Sequence, residues 1–165
     1  MSDEHGAQFS STYGHPIIET PNMDRLAEQG VTFEANYCNS PLCIPSRASF
    51  MTGQYVSTIE VWDNTKPMPV DKLTWPYLLR NEGYDTALNG KMHLVGPDPL
   101  HGFEKQLSRD PHIEAPLDHY RWSDGIPTAG EDWYGVREAD PGVSPMIEAD
   151  DAMEKAAVEY LSDPA

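Results

Sequence analysis

Apolar positions recur along the first half of the chain in short runs of helical spacing, each run closed by a glycine. The run TPNMDRLAEQG, Thr20 to Gly30, carries complete helix punctuation: a threonine to cap, Pro21 at the first helical position, acids early and Gly30 as the stop. This spacing predicts a short amphipathic helix. The period then changes from 3.6 to 2: in VTFEANYC, Val31, Phe33, Ala35 and Tyr37 alternate with polar residues, as on a half-buried strand over Val31 to Cys38. Pro45 opens a second helix that Gly53 closes, and TWPYLLRNEG repeats the design with Thr74 as cap, Pro76 in the first turn and Gly83 as terminator. YDTALNGK supplies a short strand that breaks at Gly90. A last stretch, IEADDAMEKAAVEYLSD, sets Ile147, Met153, Ala157, Tyr160 and Leu161 on roughly one side of a helix and acids on the other.

Helices alternating with strands predict an α/β fold, a three-layer sandwich with a mostly parallel sheet flanked by helices. The 165 residues have room for one domain. Its core is expected in residues 1–110, followed by a loop-rich region, 111–145, of Pro, Gly, Asp and Trp, and a helix over 146–163. MSDEHG offers no apolar strand before the first loop, and no strand follows the last helix. The expectation is therefore the N-terminal part of a larger catalytic domain, with the sheet incomplete.

Charge narrows the function. Eleven basic residues against 27 acidic ones give −16, which argues against a nucleic-acid surface. The excess is uneven: residues 111–165 hold 13 acids and 3 bases, whereas residues 67–110 hold 6 and 5. An anion is better received by that middle stretch and by the segment around Arg47. No apolar run approaches the roughly 20 residues that span a bilayer, and no signal-peptide core is visible, so a cytoplasmic location without membrane contact is expected. Cys38 and Cys43 are the only thiols, too few for a disulfide framework and not spaced for a zinc knuckle.

Cys43 stands at a predicted helix start, where unpaired amides attract anions, and Arg47 follows one helical turn later. A nucleophile, a helix end and a guanidinium that can fork onto an oxyanion thus converge. Lys91 and His93, two residues apart, would project from one face of an extended segment and supply a positive charge and a proton donor. Each residue alone also fits a packed thiol, a solvated base or a loop histidine.

The string CIPSRASFMTG resembles the signature of the sulfatase family, in which a cysteine followed by x-Pro-x-Arg is oxidised to formylglycine. Cys43, Pro45, Ser46, Arg47, Thr52 and Gly53 match it, and GYDTALNGKMH matches a second family signature through Gly83, Tyr84, Thr86, Gly90, Lys91 and His93. TPNMDRLAEQGVTFEANY and HGFEK extend the likeness over most of the chain. The resemblance implies the alkaline-phosphatase-like fold and hydrolysis of a sulfate ester to an alcohol and inorganic sulfate. It makes Cys43, as formylglycine, the nucleophile, with Arg47, Lys91 and His93 as catalytic partners and Lys91 and His93 also on the substrate. A hydrated aldehyde attacks sulfur with one hydroxyl, and the other re-forms the aldehyde and expels sulfate, so one hard step becomes two. The resemblance further implies a divalent metal, calcium before magnesium or manganese, held by Asp3, by Cys43 as formylglycine and by Glu4, which stands where members carry a second Asp or a Gln.

Within the family, SPLCIPSRASFMTGQ, WDN and GKMHLVGPDPLHGFEKQLSRD are similar to the choline-sulfatase branch, where Asn64 matches a substrate-binding asparagine. Tyr120, Trp122, Trp133 and Tyr134, interleaved with Asp118, Asp124, Glu131 and Asp132, suit a quaternary ammonium such as choline. The implied partners are a small-molecule sulfate ester and, during maturation, a formylglycine-generating enzyme, and a homo-oligomer stays open. Three rival readings remain: a phosphonate or phosphodiester hydrolase of the same superfamily, an inactive truncated fragment, and an enzyme using Cys43 directly as a thiol nucleophile.

Overall fold

Residues 1–3, 5–108, 110, 142–143 and 145–163 are described by a computed structural model, in which two units separate, Met1–Tyr37 and Cys38–Ala165. In the N-terminal unit Pro21 begins helix α1 (Pro21–Gln29) where predicted, because its fixed φ suits the first turn and it has no amide to leave unpaired. Thr20 occupies the cap position, yet its side chain does not cap. Its Oγ1 accepts the Ser11 amide at 3.1 Å, and its own amide donates to Ser11 Oγ at 2.7 Å. Asp24 accepts from the hydroxyls of Ser11 and Thr12, both at 2.6 Å, and these bonds hold its carboxyl below the usual carboxylate range. Two single-turn 3-10 helices, Ala7–Phe9 and Ser11–Tyr13, precede α1; the second is tied to it by these bonds.

The predicted strand over Val31 to Cys38 is absent: these residues form irregular backbone. Val31, Phe33 and Tyr37 are 76%, 66% and 87% exposed. A strand needs a neighbour to accept and donate its hydrogen bonds, and none pairs with this segment among the described residues.

The second unit holds the core. Helix α2 (Cys43–Thr52) starts two residues earlier than predicted, with Pro45 in its first turn instead of at its head, and ends at Gly53 in the left-handed conformation (φ 67°). Ile44, Ala48 and Met51, spaced four and three apart, fall on one face and are fully buried. They pack with Ile59, Val61, Met68, Leu88, Met92, Leu94 and Phe103. Helix α3 (Val56–Ile59), unforeseen in the sequence, contributes Ile59 and stops at Glu60, also left-handed. Helix α4 (Trp75–Asn81) sends Trp75 edge-on to both Phe50 and Phe103, with ring centroids 6.0 Å and 5.4 Å apart.

Strand β1 (Ala87–Leu88) pairs in parallel with β2 (Lys105–Gln106), the only sheet among the described residues. The connection between them is held from below by threonines. Thr74, at the cap position of α4, donates instead to the His101 carbonyl at 2.5 Å, and Thr86 donates to the Gly102 carbonyl at 3.1 Å. Gly102 (φ 104°) has no room for a side chain: a Cβ there would lie 2.6 Å from the Tyr77 amide nitrogen. Helix α5 (Pro145–Ser162) follows the predicted bounds closely. Met153, Ala157 and Tyr160 are half-buried as expected, but Ile147 and Leu161 lie off that face and are exposed. The expected quaternary-ammonium residues, Tyr120, Trp122, Trp133 and Tyr134 with their acids, lie outside the described residues, as does Glu4. Among the described residues no helix is long and apolar enough to cross a membrane.

Candidate active site

Cys43 is the first residue of α2, a free thiol, half-buried. The cap position before it is Leu42, which has no side-chain acceptor to offer. The missing acceptor comes from 20 residues away: Asn64 Oδ1 accepts the Ile44 amide at 3.0 Å. The resemblance implies a substrate contact for Asn64; what the structure gives it is the task of fixing the turn that carries Cys43.

Asn39 braces the other end of the loop. Its Nδ2 donates to Ser49 Oγ at 2.5 Å, its Oδ1 accepts the Val56 amide at 3.3 Å, and Ser49 in turn donates to the Gln54 carbonyl at 2.7 Å. Cys38, the second thiol, is free and exposed, so the two cysteines form no bridge.

The two candidate segments meet. Lys91 Nζ lies 3.6 Å from Cys43 Sγ, across 48 residues of sequence. In a matured protein that sulfur position would be taken by an oxygen of the aldehyde or its hydrate, so the same ammonium would face the nucleophile. Arg47 is 5% exposed, and its Nη1 donates to the Lys91 carbonyl at 2.6 Å and lies 3.8 Å from Met92 Sδ. The guanidinium therefore joins α2 to the Lys91 segment in addition to any contact it makes with an oxyanion.

Residues 91–93 have no regular structure, and His93 is buried and left-handed (φ 53°), which departs from the extended segment predicted. Positive φ at the third residue breaks the period-2 alternation that would have placed Lys91 and His93 on one face. This stretch is fastened by residues the sequence did not single out. Asp110 Oδ2 accepts the Met92 amide at 2.8 Å and also the His93 amide, and Ser108 Oγ accepts the Gly90 amide at 2.8 Å. The available signal was Asp110 itself, the last residue of the long matching string and an acid in the weakly charged middle stretch.

The histidine of HGF, His101, is completely buried, and neither ring nitrogen has a hydrogen-bond partner. Burial depresses its pKa below the usual imidazole value, and the Asp98 carboxylate, 4.0 Å away, opposes that shift in part. Burial pushes the Asp98 carboxyl upward, but the amides of His101 and Leu100 and the Tyr77 hydroxyl, at 2.9 Å, outweigh it and hold the carboxyl low. Asp3 is exposed in the N-terminal unit. Among the described residues no three His, Cys, Asp or Glu side chains gather closely enough to hold a metal ion.

Comparison with known proteins adds four findings. The family model described as Sulfatase matches residues 1–161. A choline-sulfatase of Rhizobium meliloti (strain 1021) is 44% identical over 120 residues, which are 72% of this chain and 23% of that protein. Among solved structures, a protein in complex with its substrate D-glucosamine-2-N,6-O-disulfate superposes with a TM-score of 0.60 at 40% identity, covering 64% of this chain and 21% of the other. A phosphonate monoester hydrolase of Agrobacterium radiobacter superposes at 0.68 over 96% of this chain and 36% of its own, but at 21% identity, a likeness of fold. The chain thus spans about a fifth to a quarter of the length of the first two relatives.

Proposed function

From the premise that the chain belongs to the sulfatase family, we propose that it supplies the nucleophile-bearing part of an enzyme hydrolysing choline sulfate. Sulfatases as a family carry a formylglycine and a divalent metal. The observation that carries the proposal is the approach of Lys91 to Cys43, with Arg47 locking the two segments together.

The steps follow from these side chains. A hydrated aldehyde at position 43 attacks the ester sulfur, the S–O bond to choline breaks, and the alcohol departs with one proton. The second hydroxyl of the hydrate then gives up its proton as the aldehyde re-forms and sulfate leaves. Charge builds on the sulfate oxygens during the attack, and Lys91, fixed beforehand, stabilises it without reorganisation. Lys91 or His93, two residues apart on one segment, protonates the departing alkoxide. The half-buried setting of Cys43 limits competing water.

Calcium is the cation we assign, since a hard ion suits oxygen donors such as Asp3. Asp3 alone cannot hold it, and the described residues assemble no site, so no step here is routed through the metal.

The choice of choline sulfate rests on the 44% identity to a choline-sulfatase. The test uses the complete polypeptide that contains this chain, produced beside a formylglycine-generating enzyme. Intact mass should show residue 43 lighter by the difference between a thiol and an aldehyde, and choline sulfate should turn over faster than 4-nitrophenyl sulfate relative to their uncatalysed rates. Full activity with an unmodified sulfhydryl overturns the nucleophile. Equal enhancement for both esters overturns the substrate, and a preference for phosphodiesters overturns the reaction.

A further inference from the structure

We infer that Asp110 is a positioning residue for the proton-donating and charge-stabilising segment, Lys91 to His93. The inference rests on the reading that this segment serves sulfate-ester cleavage.

The argument begins with the backbone. A left-handed residue other than glycine is held in place only when its surroundings over-determine it, and His93 is such a residue. One carboxylate oxygen takes hold of its amide. Asp110 Oδ2 receives two consecutive amides, of Met92 and His93, in a site where Asp110 itself is 3% exposed. An oxygen that accepts successive N–H groups fixes the orientation of both peptide planes, and with them the direction in which the His93 side chain leaves the backbone. Bonds between an ionised acceptor and backbone amides are about twice as strong as neutral ones.

The same segment is pinned at its other backbone groups. Ser108 Oγ accepts the Gly90 amide from the same segment that carries Asp110, and Arg47 donates to the Lys91 carbonyl from α2. Every residue from Gly90 to His93 therefore has a backbone group bound by a side chain from elsewhere in the sequence. Of these clamps, Asp110 acts on the residue whose conformation is least favourable by itself. Moving a reacting group by about 1 Å costs on the order of 10²-fold in rate, so loosening this clamp should cost chemistry before it costs the fold.

The readout that separates positioning from a general structural role is the leaving group. 4-Nitrophenolate departs without protonation, whereas choline leaves as an alkoxide that needs a proton in the transition state. In the complete, matured enzyme, Asp110→Ala should lower kcat/KM for choline sulfate on the order of 10²-fold and for 4-nitrophenyl sulfate only about 5-fold. The ratio of the two is taken on one preparation, so a smaller folded fraction cancels. Asp110→Asn keeps an oxygen for the two amides and should recover most of the lost ratio. Should Asp110→Ala fail to accumulate, Asp110→Ser, whose hydroxyl is too short to reach both amides, is read in its place with the same expectation.

Lys91→Ala and His93→Ala serve as references. If at least one of them is selective for choline sulfate and the Asp110 variant lowers both esters equally, the positioning role is overturned and the functional reading stands. If none of the three is selective, the functional reading falls and the inference with it.

Discussion

Two rows of apolar side chains are equally regular in the sequence and meet opposite fates. Ile44, Ala48 and Met51 repeat at helical spacing and disappear into the core of the second unit. Val31, Phe33 and Tyr37 alternate at strand spacing and stand in solvent in the first. A helix satisfies its own backbone and needs only a surface to lie against; a strand needs another strand's amides and carbonyls as well. Periodicity names the residues that gain from burial. It is silent on what covers them.

The contrast can be broken most directly at its two centres. Met51→Ala should destabilise by about 2–5 kcal/mol through the cavity it leaves, whereas Phe33→Ser should stay within about 0.5 kcal/mol. Urea unfolding of the complete protein checks both, and a Phe33→Ser loss as large as that of Met51→Ala would show that the 31–37 row is covered there. Two left-handed glycines sharpen the same comparison. Gly102→Ala should cost about 3 kcal/mol because its Cβ meets backbone, while Gly14→Ala in the N-terminal unit (φ 84°), with nothing within 4 Å, should cost about 1 kcal/mol for the conformation alone.

Asn64→Ala removes the acceptor on Ile44 and should cost about 1 kcal/mol, the usual worth of a helix cap. Turnover should fall further than stability, because the turn it loosens carries Cys43. The smallest effect concerns pH. His101 has a folded pKa below the ordinary imidazole value of 6.5, so the unfolded chain takes up its proton first. Its contribution is fully present above 6.5 and declines as pH falls through that value. Thermal midpoints between about pH 7.5 and 5.5 should drop less steeply in His101→Gln than in the parent.

What the sequence disclosed was local. Pro21, Gly53 and Gly83 mark helix ends because φ restrictions act on the residue itself, and all three helices lie where these residues put them, within two positions. The neighbourhood of Cys43 and Lys91 was legible through the two matching strings, and the structure brings them to 3.6 Å. What stayed hidden was every bond supplied from a distance. Threonines 20 and 74 look like caps and bond elsewhere, while the acceptor at the head of α2 comes from Asn64 and that of the Lys91 segment from Asp110. Polar side chains answer to whichever unpaired backbone group folding brings near, and spacing along the chain does not encode that choice.

On the proposed maturation of Cys43, the burial of α2 would set an order of events. Pro45 is completely enclosed and Arg47 nearly so. A modifying enzyme that read cysteine, proline and arginine together would find two of the three withdrawn once the helix has docked, so conversion of the thiol would have a deadline: it would have to come before this segment is buried, and a molecule that folds first would keep its sulfur.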